Sequence, residues 1–116
     1  MSLQSWKEIP EERLNPKLSR KIITGEKVMV AQVFLKKGSV VPSHKHESEQ
    51  ITYVPEGLLE LTLPNGKYRV GEGQVLVIPS NVEHSAVALE DTLDMDIFSP
   101  IREDWLTGQD DYLRRE

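Results

Sequence analysis

The sequence predicts an all-β fold, a sandwich or barrel of short strands with a short helical C-terminal tail. Segments of strand length, rich in β-branched and aromatic residues, recur at close and regular spacing, with glycine, proline or asparagine between them. Helical composition is confined to the tail from Arg102 onward. A chain of 116 residues suits one core, hence one domain over residues 1–116.

The first segment runs from Lys27 to Leu35 and stops at the turn Lys36-Lys37-Gly38. Ile51 to Val54 is the second, stopped by Pro55-Glu56-Gly57. Leu59 to Leu63 alternates apolar with polar, the pattern of a half-buried strand. Asn65-Gly66 then predicts a type I′ hairpin turn, with Lys67 to Val70 as the return strand. Past Gly71-Glu72-Gly73, the unbroken apolar run Val75 to Ile78 reads as a strand buried on both faces. Ala86 to Leu89 and Leu93 to Phe98 complete the series. In the last, Leu93, Met95 and Ile97 share one face, and Thr92, Asp94, Asp96 and Phe98 the other. Tyr53 and Tyr68 read as packing residues, and Trp6 and Trp105 as seals of a barrel end or interface, or as sugar-stacking rings. Asp110-Asp111 and Arg114-Arg115-Glu116 read as a solvated tail.

Composition narrows the function. Nineteen acidic against 14 basic side chains give a net charge of -5, which repels phosphate backbones and argues against nucleic acid. No cysteine is present, so disulfides, thiolate metal ligands and cysteine nucleophiles are excluded. No apolar run is long enough to span a membrane, and Met1 to Glu8 carries no signal-like stretch, so a cytoplasmic location is expected.

The three histidines are His44, His46 and His84. On an extended segment, residues i and i+2 face the same side, so His44 and His46 can reach one point. Gln50 stands at even separation from both and joins that face if the segment stays extended. His84 must arrive from across the fold. Three imidazoles and a carboxamide oxygen suit a divalent ion such as Ni, Zn, Fe or Mn, with open positions for substrate.

With their flanks, these residues form two patterns. The first is Gly38, His44, His46, Gln50 and Gly57, over residues 38–57. The second is Gly73, Pro79, Asn81 and His84, over residues 73–88. In order and spacing they resemble the two motifs of the cupin superfamily. The resemblance implies a double-stranded β-helix, or jelly-roll, barrel and one bound metal ion. Gln50 stands where the family usually has Glu, Asn81 where it has Gly, and Ala88 where it has Asn. Asn tolerates φ > 0 best among non-glycine residues, so the turn at Asn81 can survive. With Gln50 in place of a carboxylate, a divalent ion keeps a charge of about +2, which favours Lewis-acid work over redox cycling.

The stretch Asp94 to Trp105 further resembles the pectin-degradation cupins of the KdgF family. That family is thought to open the ring of 4,5-unsaturated uronates to the linear keto form. The resemblance implies a sugar-acid substrate, functional roles for Asp96, Phe98 and Arg102, and a homodimer. Arg102 suits a uronate because arginine binds carboxylates bidentately. Otherwise it is a surface arginine paired with Glu103 or Asp104, and Asp94 and Asp96 simply face water. Alternative functions are a metal-dependent dioxygenase and a non-catalytic module that binds a small acid or sugar.

Overall fold

Alternation of apolar and polar residues over most of the chain is satisfied by strands that bury one face, and two antiparallel sheets meet that need. The computed structural model describes residues 1–114. After a 3₁₀ turn at Trp6–Glu8 come β1 (Glu12–Asn15), β2 (Leu18–Thr24), β3 (Met29–Leu35), β4 (Val40–His44) and β5 (Glu49–Glu56). Then follow β6 (Leu58–Leu63), β7 (Gly66–Gly71), β8 (Gln74–Ile78), β9 (His84–Ala88) and β10 (Thr92–Ser99). The tail forms α1 (Glu103–Leu106) and α2 (Asp111–Arg114). The larger sheet has the order β1-β2-β3-β10-β5-β8 and the smaller β4-β9-β6-β7. Their inner faces enclose the core, with Met29, Ala31, Val54, Ile78 and Phe98 almost fully buried.

β10 lies between β3 and β5, and its alternation is the one read from the sequence: Thr92, Asp94, Asp96 and Phe98 are buried. Gly57 joins β5 to β6 at φ +103, and a Cβ there would come within 2.6 Å of the Thr92 backbone, so only glycine fits. Asn81 takes φ 60, as its tolerance of that region allows.

Several expectations are corrected. β8 is an edge strand, and Val75 and Val77 are 54% and 53% exposed rather than buried on both faces, since no layer covers the outside of the sheet. Tyr53 and Tyr68 lie exposed on outer faces. The β6–β7 hairpin loops through Pro64 and Asn65, while Gly66 already pairs with Leu63. Proline's fixed φ suits the residue that opens a turn, and that preference displaces the Asn-Gly centre. The tail is not uniformly solvated: Asp110 is fully buried and Arg114 is ion-paired. Arg115 and Glu116 lie outside the described residues.

Candidate metal centre

In β4 and β9, His44 and His84 stand directly opposite in an antiparallel pair, where side chains on one face meet. Their ring centroids are 4.3 Å apart. His46 does not share a strand with His44. The chain leaves β4 at His44, bends through Glu47 and Ser48, and enters β5 in the other sheet, which carries Gln50. The segment is therefore not extended, and the four side chains meet because the two sheets close on each other. The bend is held by Asn81 N–H donating to the His46 carbonyl (2.8 Å) and Ser48 Oγ donating to the Pro100 carbonyl (2.6 Å).

Each imidazole is fixed by its own backbone. Nδ1 of His44, His46 and His84 lies 2.8, 2.9 and 2.8 Å from the carbonyls of Pro42, Ser48 and Val82. A carbonyl only accepts, so each Nδ1 carries the hydrogen and each Nε2 of the neutral ring presents a lone pair. The three histidines offer ligand atoms within 4.8 Å of one another, and could hold a metal ion. Burial lowers the pKa of His44 to about 4, with the neighbouring histidines and Arg102 adding to the effect. Burial, then the Arg102 guanidinium, brings His46 to about 4 as well, and burial lowers His84. The site is thus neutral and ready to ligate at pH 7.

Two observations fit a cation here. The buried His84 Nε2 has no hydrogen-bond partner. Gln50 Oε1 lies 3.0 Å from His46 Nε2, and its amide nitrogen faces away, donating to Thr52 Oγ1 (2.8 Å) and Asp96 Oδ1 (3.3 Å). Two lone pairs facing each other at that distance repel unless a positive charge lies between them.

Asp96 is placed by register, opposite Thr52 and one inward position from Phe98, whose partner is Gln50. Thr52 Oγ1 donates to Asp96 Oδ1 at 2.9 Å. Asp94 is buried beside it with Oδ1 unpartnered. Burial raises both carboxyls above the usual range, Asp94 more strongly because the Asp96 charge adds to it. Of the two, Asp94 keeps its proton to the higher pH, and the hydrogen bond between them favours the charged form of Asp96. Neither residue faces water.

The tail closes the barrel end. Arg102 is 4% exposed. Its Nε and Nη2 donate to Asp104 Oδ1 (3.0 Å) and Oδ2 (2.8 Å), and Nη2 also donates to Tyr112 Oη (2.8 Å), while Nη1 is buried without a partner. The bidentate edge expected to face a substrate thus belongs to Asp104. Trp105 packs between Phe98 and Arg20, sealing the barrel end, whereas Trp6 does not line the cavity. The His44, Gln50, His84, Asp96, Phe98 and Arg102 side chains all line one cavity.

Sequence reasoning missed Thr52, Arg20 and Tyr112. Thr52 carried a signal, an inward position on β5 at even spacing from Gln50. Tyr112 carried none, because its place depends on the tail folding back.

Comparison with known proteins agrees with this architecture. Residues 31–99 match the family described as "Cupin domain", and the chain belongs to the cupin family. Within that family, it is 35% identical over 102 residues to the pectin degradation protein KdgF of Dickeya dadantii (strain 3937), covering 85% of this chain and 93% of that protein. The solved structure of KdgF from Halomonas sp. superposes with a TM-score of 0.83 at 36% identity, over 90% of this chain and 99% of that one. An RmlC-like cupin from Shewanella frigidimarina shares the fold, with a TM-score of 0.84 at 24% identity over 90% and 96% of the two chains.

Proposed function

We propose that this cupin is a metal-dependent enzyme of pectin or alginate breakdown that opens the ring of 4,5-unsaturated uronates. The observation that carries the reading is Asp96, a buried side chain one hydrogen bond from Gln50, in a cavity that His44, His84 and an arginine N–H without a partner also line, beside the three-histidine cluster. Two relatives named KdgF, one of them described as a pectin degradation protein, support the substrate class.

In this reading His44, His46, His84 and Gln50 hold one divalent ion, which supplies Lewis-acid polarisation of a substrate oxygen. Arg102 Nη1 meets the uronate carboxylate and turns the sugar toward Asp96. Phe98 forms an apolar wall beside the ring. Asp96 accepts the proton of the anomeric hydroxyl as C1=O forms and the bond from C1 to the ring oxygen breaks. The ring oxygen leaves as the enolate of C5, and the proton taken by Asp96, returned to C4, converts the enolate to the keto form, so the C4=C5 bond is lost and the step is an isomerisation. Asp94 keeps Asp96 in the acceptor state by holding the shared proton. The dioxygenase alternative draws on the histidines alone, and the neutral Gln50 favours Lewis-acid work over a change of oxidation state.

The test follows the C4=C5 absorbance of a 4,5-unsaturated galacturonate. Metal-loaded protein is expected to accelerate its loss over the uncatalysed rate, and His46→Ala protein is not. No acceleration by fully loaded protein would sink the proposal.

The outer face of the larger sheet is read as a homodimer surface. Its register aligns Ile23, Val30, Ile97, Ile51 and Val77 in one cross-strand row over five strands, an apolar stripe that ends on an exposed edge.

A further inference from the structure

Arg102 enters the cavity with most of its hydrogen-bonding capacity already engaged. Three N–H bonds go to Asp104 and Tyr112, and only Nη1 remains. A single guanidinium nitrogen holds a carboxylate at one point and does not fix its plane. Beside it stands the Tyr112 hydroxyl. Its oxygen accepts from Arg102 Nη2 (2.8 Å) and from Trp105 Nε1 (3.3 Å). With both bonds entering the oxygen, the O–H hydrogen must point elsewhere, and among the described residues no acceptor takes it. The Tyr112 ring lies against His44, 4.6 Å between centroids at 31°, which keeps the hydroxyl at the metal side of the cavity that Tyr112 lines.

We propose that Tyr112 is a substrate-binding residue that completes the anion clamp: its O–H and Arg102 Nη1 each take one oxygen of the substrate carboxylate. This deepens the sugar-acid reading above and rests on it. The hydroxyl is a donor aimed by two fixed N–H groups, so it discriminates a uronate from the neutral sugar of the same shape.

Calorimetric titration of metal-loaded protein with galacturonate and with galactose tests it. The wild type is expected to prefer galacturonate. Tyr112→Phe keeps the ring on His44, and is expected to weaken galacturonate binding roughly tenfold or more, the loss of one hydrogen bond to a charged group, with galactose unaffected. A preference for galacturonate that survives intact in Tyr112→Phe would overturn the role of Tyr112 and leave the sugar-acid reading standing. A wild type with no preference would overturn both. Should the variant not fold, wild-type protein carrying 3-fluorotyrosine decides, with resonances assigned through Tyr53→Phe and Tyr68→Phe. A Tyr112 signal shifted by galacturonate and not by galactose supports the clamp, and an unmoved signal overturns it.

Discussion

Asp96 and the imidazoles around it owe their properties to burial, and burial was the part of the site hardest to read from sequence. Alternation on β10 placed Asp94, Asp96 and Phe98 on one face, but only the closure of β5 and β10 over the smaller sheet decides that this face is dry. Asp96→Asn keeps the acceptor for Thr52 and loses the proton acceptor. Turnover is expected to fall by at least about a hundredfold with metal content unchanged, measured by kinetics and metal analysis on the same sample. Turnover near wild type would remove Asp96 from the mechanism. The histidines make a prediction of their own. Protons compete with the ion for Nε2, and a lowered imidazole pKa postpones that competition to lower pH. With His44 and His46 at about 4, metal retention after gel filtration should stay level from neutral pH down to about 5 and fall below it. Ordinary histidines would lose the ion from about pH 6.5 downward.

At the scale of elements, the C-terminal tail decides whether the site is closed. Arg20 on β2 is fully buried and pairs with Asp110 (2.6 Å) and Glu12 (2.9 Å). Arg114 pairs with the same two carboxylates, at 3.0 and 2.9 Å. The four charges form a closed ring that ties α2 to β1 and β2, and so holds Tyr112 over His44. Replacing Arg20 leaves Asp110 buried without its closest cation. Arg20→Met is expected to cost about 3–5 kcal/mol in urea denaturation. A cost below about 1 kcal/mol, the range of an exposed pair, would show that the ring does not anchor the tail. These elements were poorly legible because the partners are remote in sequence. In β2, Arg20 and Lys21 break the apolar pattern, and nothing local says that Arg20 meets Asp110. In β4, Pro42 and polar neighbours disguise a strand, which is tolerated because β4 is a sheet edge. By contrast β3, β5, β6 and β10 were legible, since each needs only its own alternation to bury one face.

At the scale of the whole molecule, the paired motifs carried the most information. Their order and spacing implied the barrel type and brought His84 to His44 and His46 from across the fold, although the strand that carries His44 was not itself legible. The outer surface was less legible, because an unbroken apolar run such as Val75 to Ile78 looks alike whether a core or a partner covers it. If a second copy covers it, sedimentation at micromolar concentration should give a dimer, and Val75→Lys with Val77→Lys a folded monomer. A wild-type monomer would refute that assignment. No helix among the described residues is long and apolar enough to cross a membrane. Substrate polarisation and the roles of the residues around it rest on the three-histidine centre. The most direct test is therefore the metal content of protein loaded with a divalent ion and desalted, compared between wild type and the His44→Ala, His46→Ala double variant. Close to one ion per chain is expected in the wild type and close to none in the variant, with the fold retained. Equal metal content in the two would contradict that assignment of the centre.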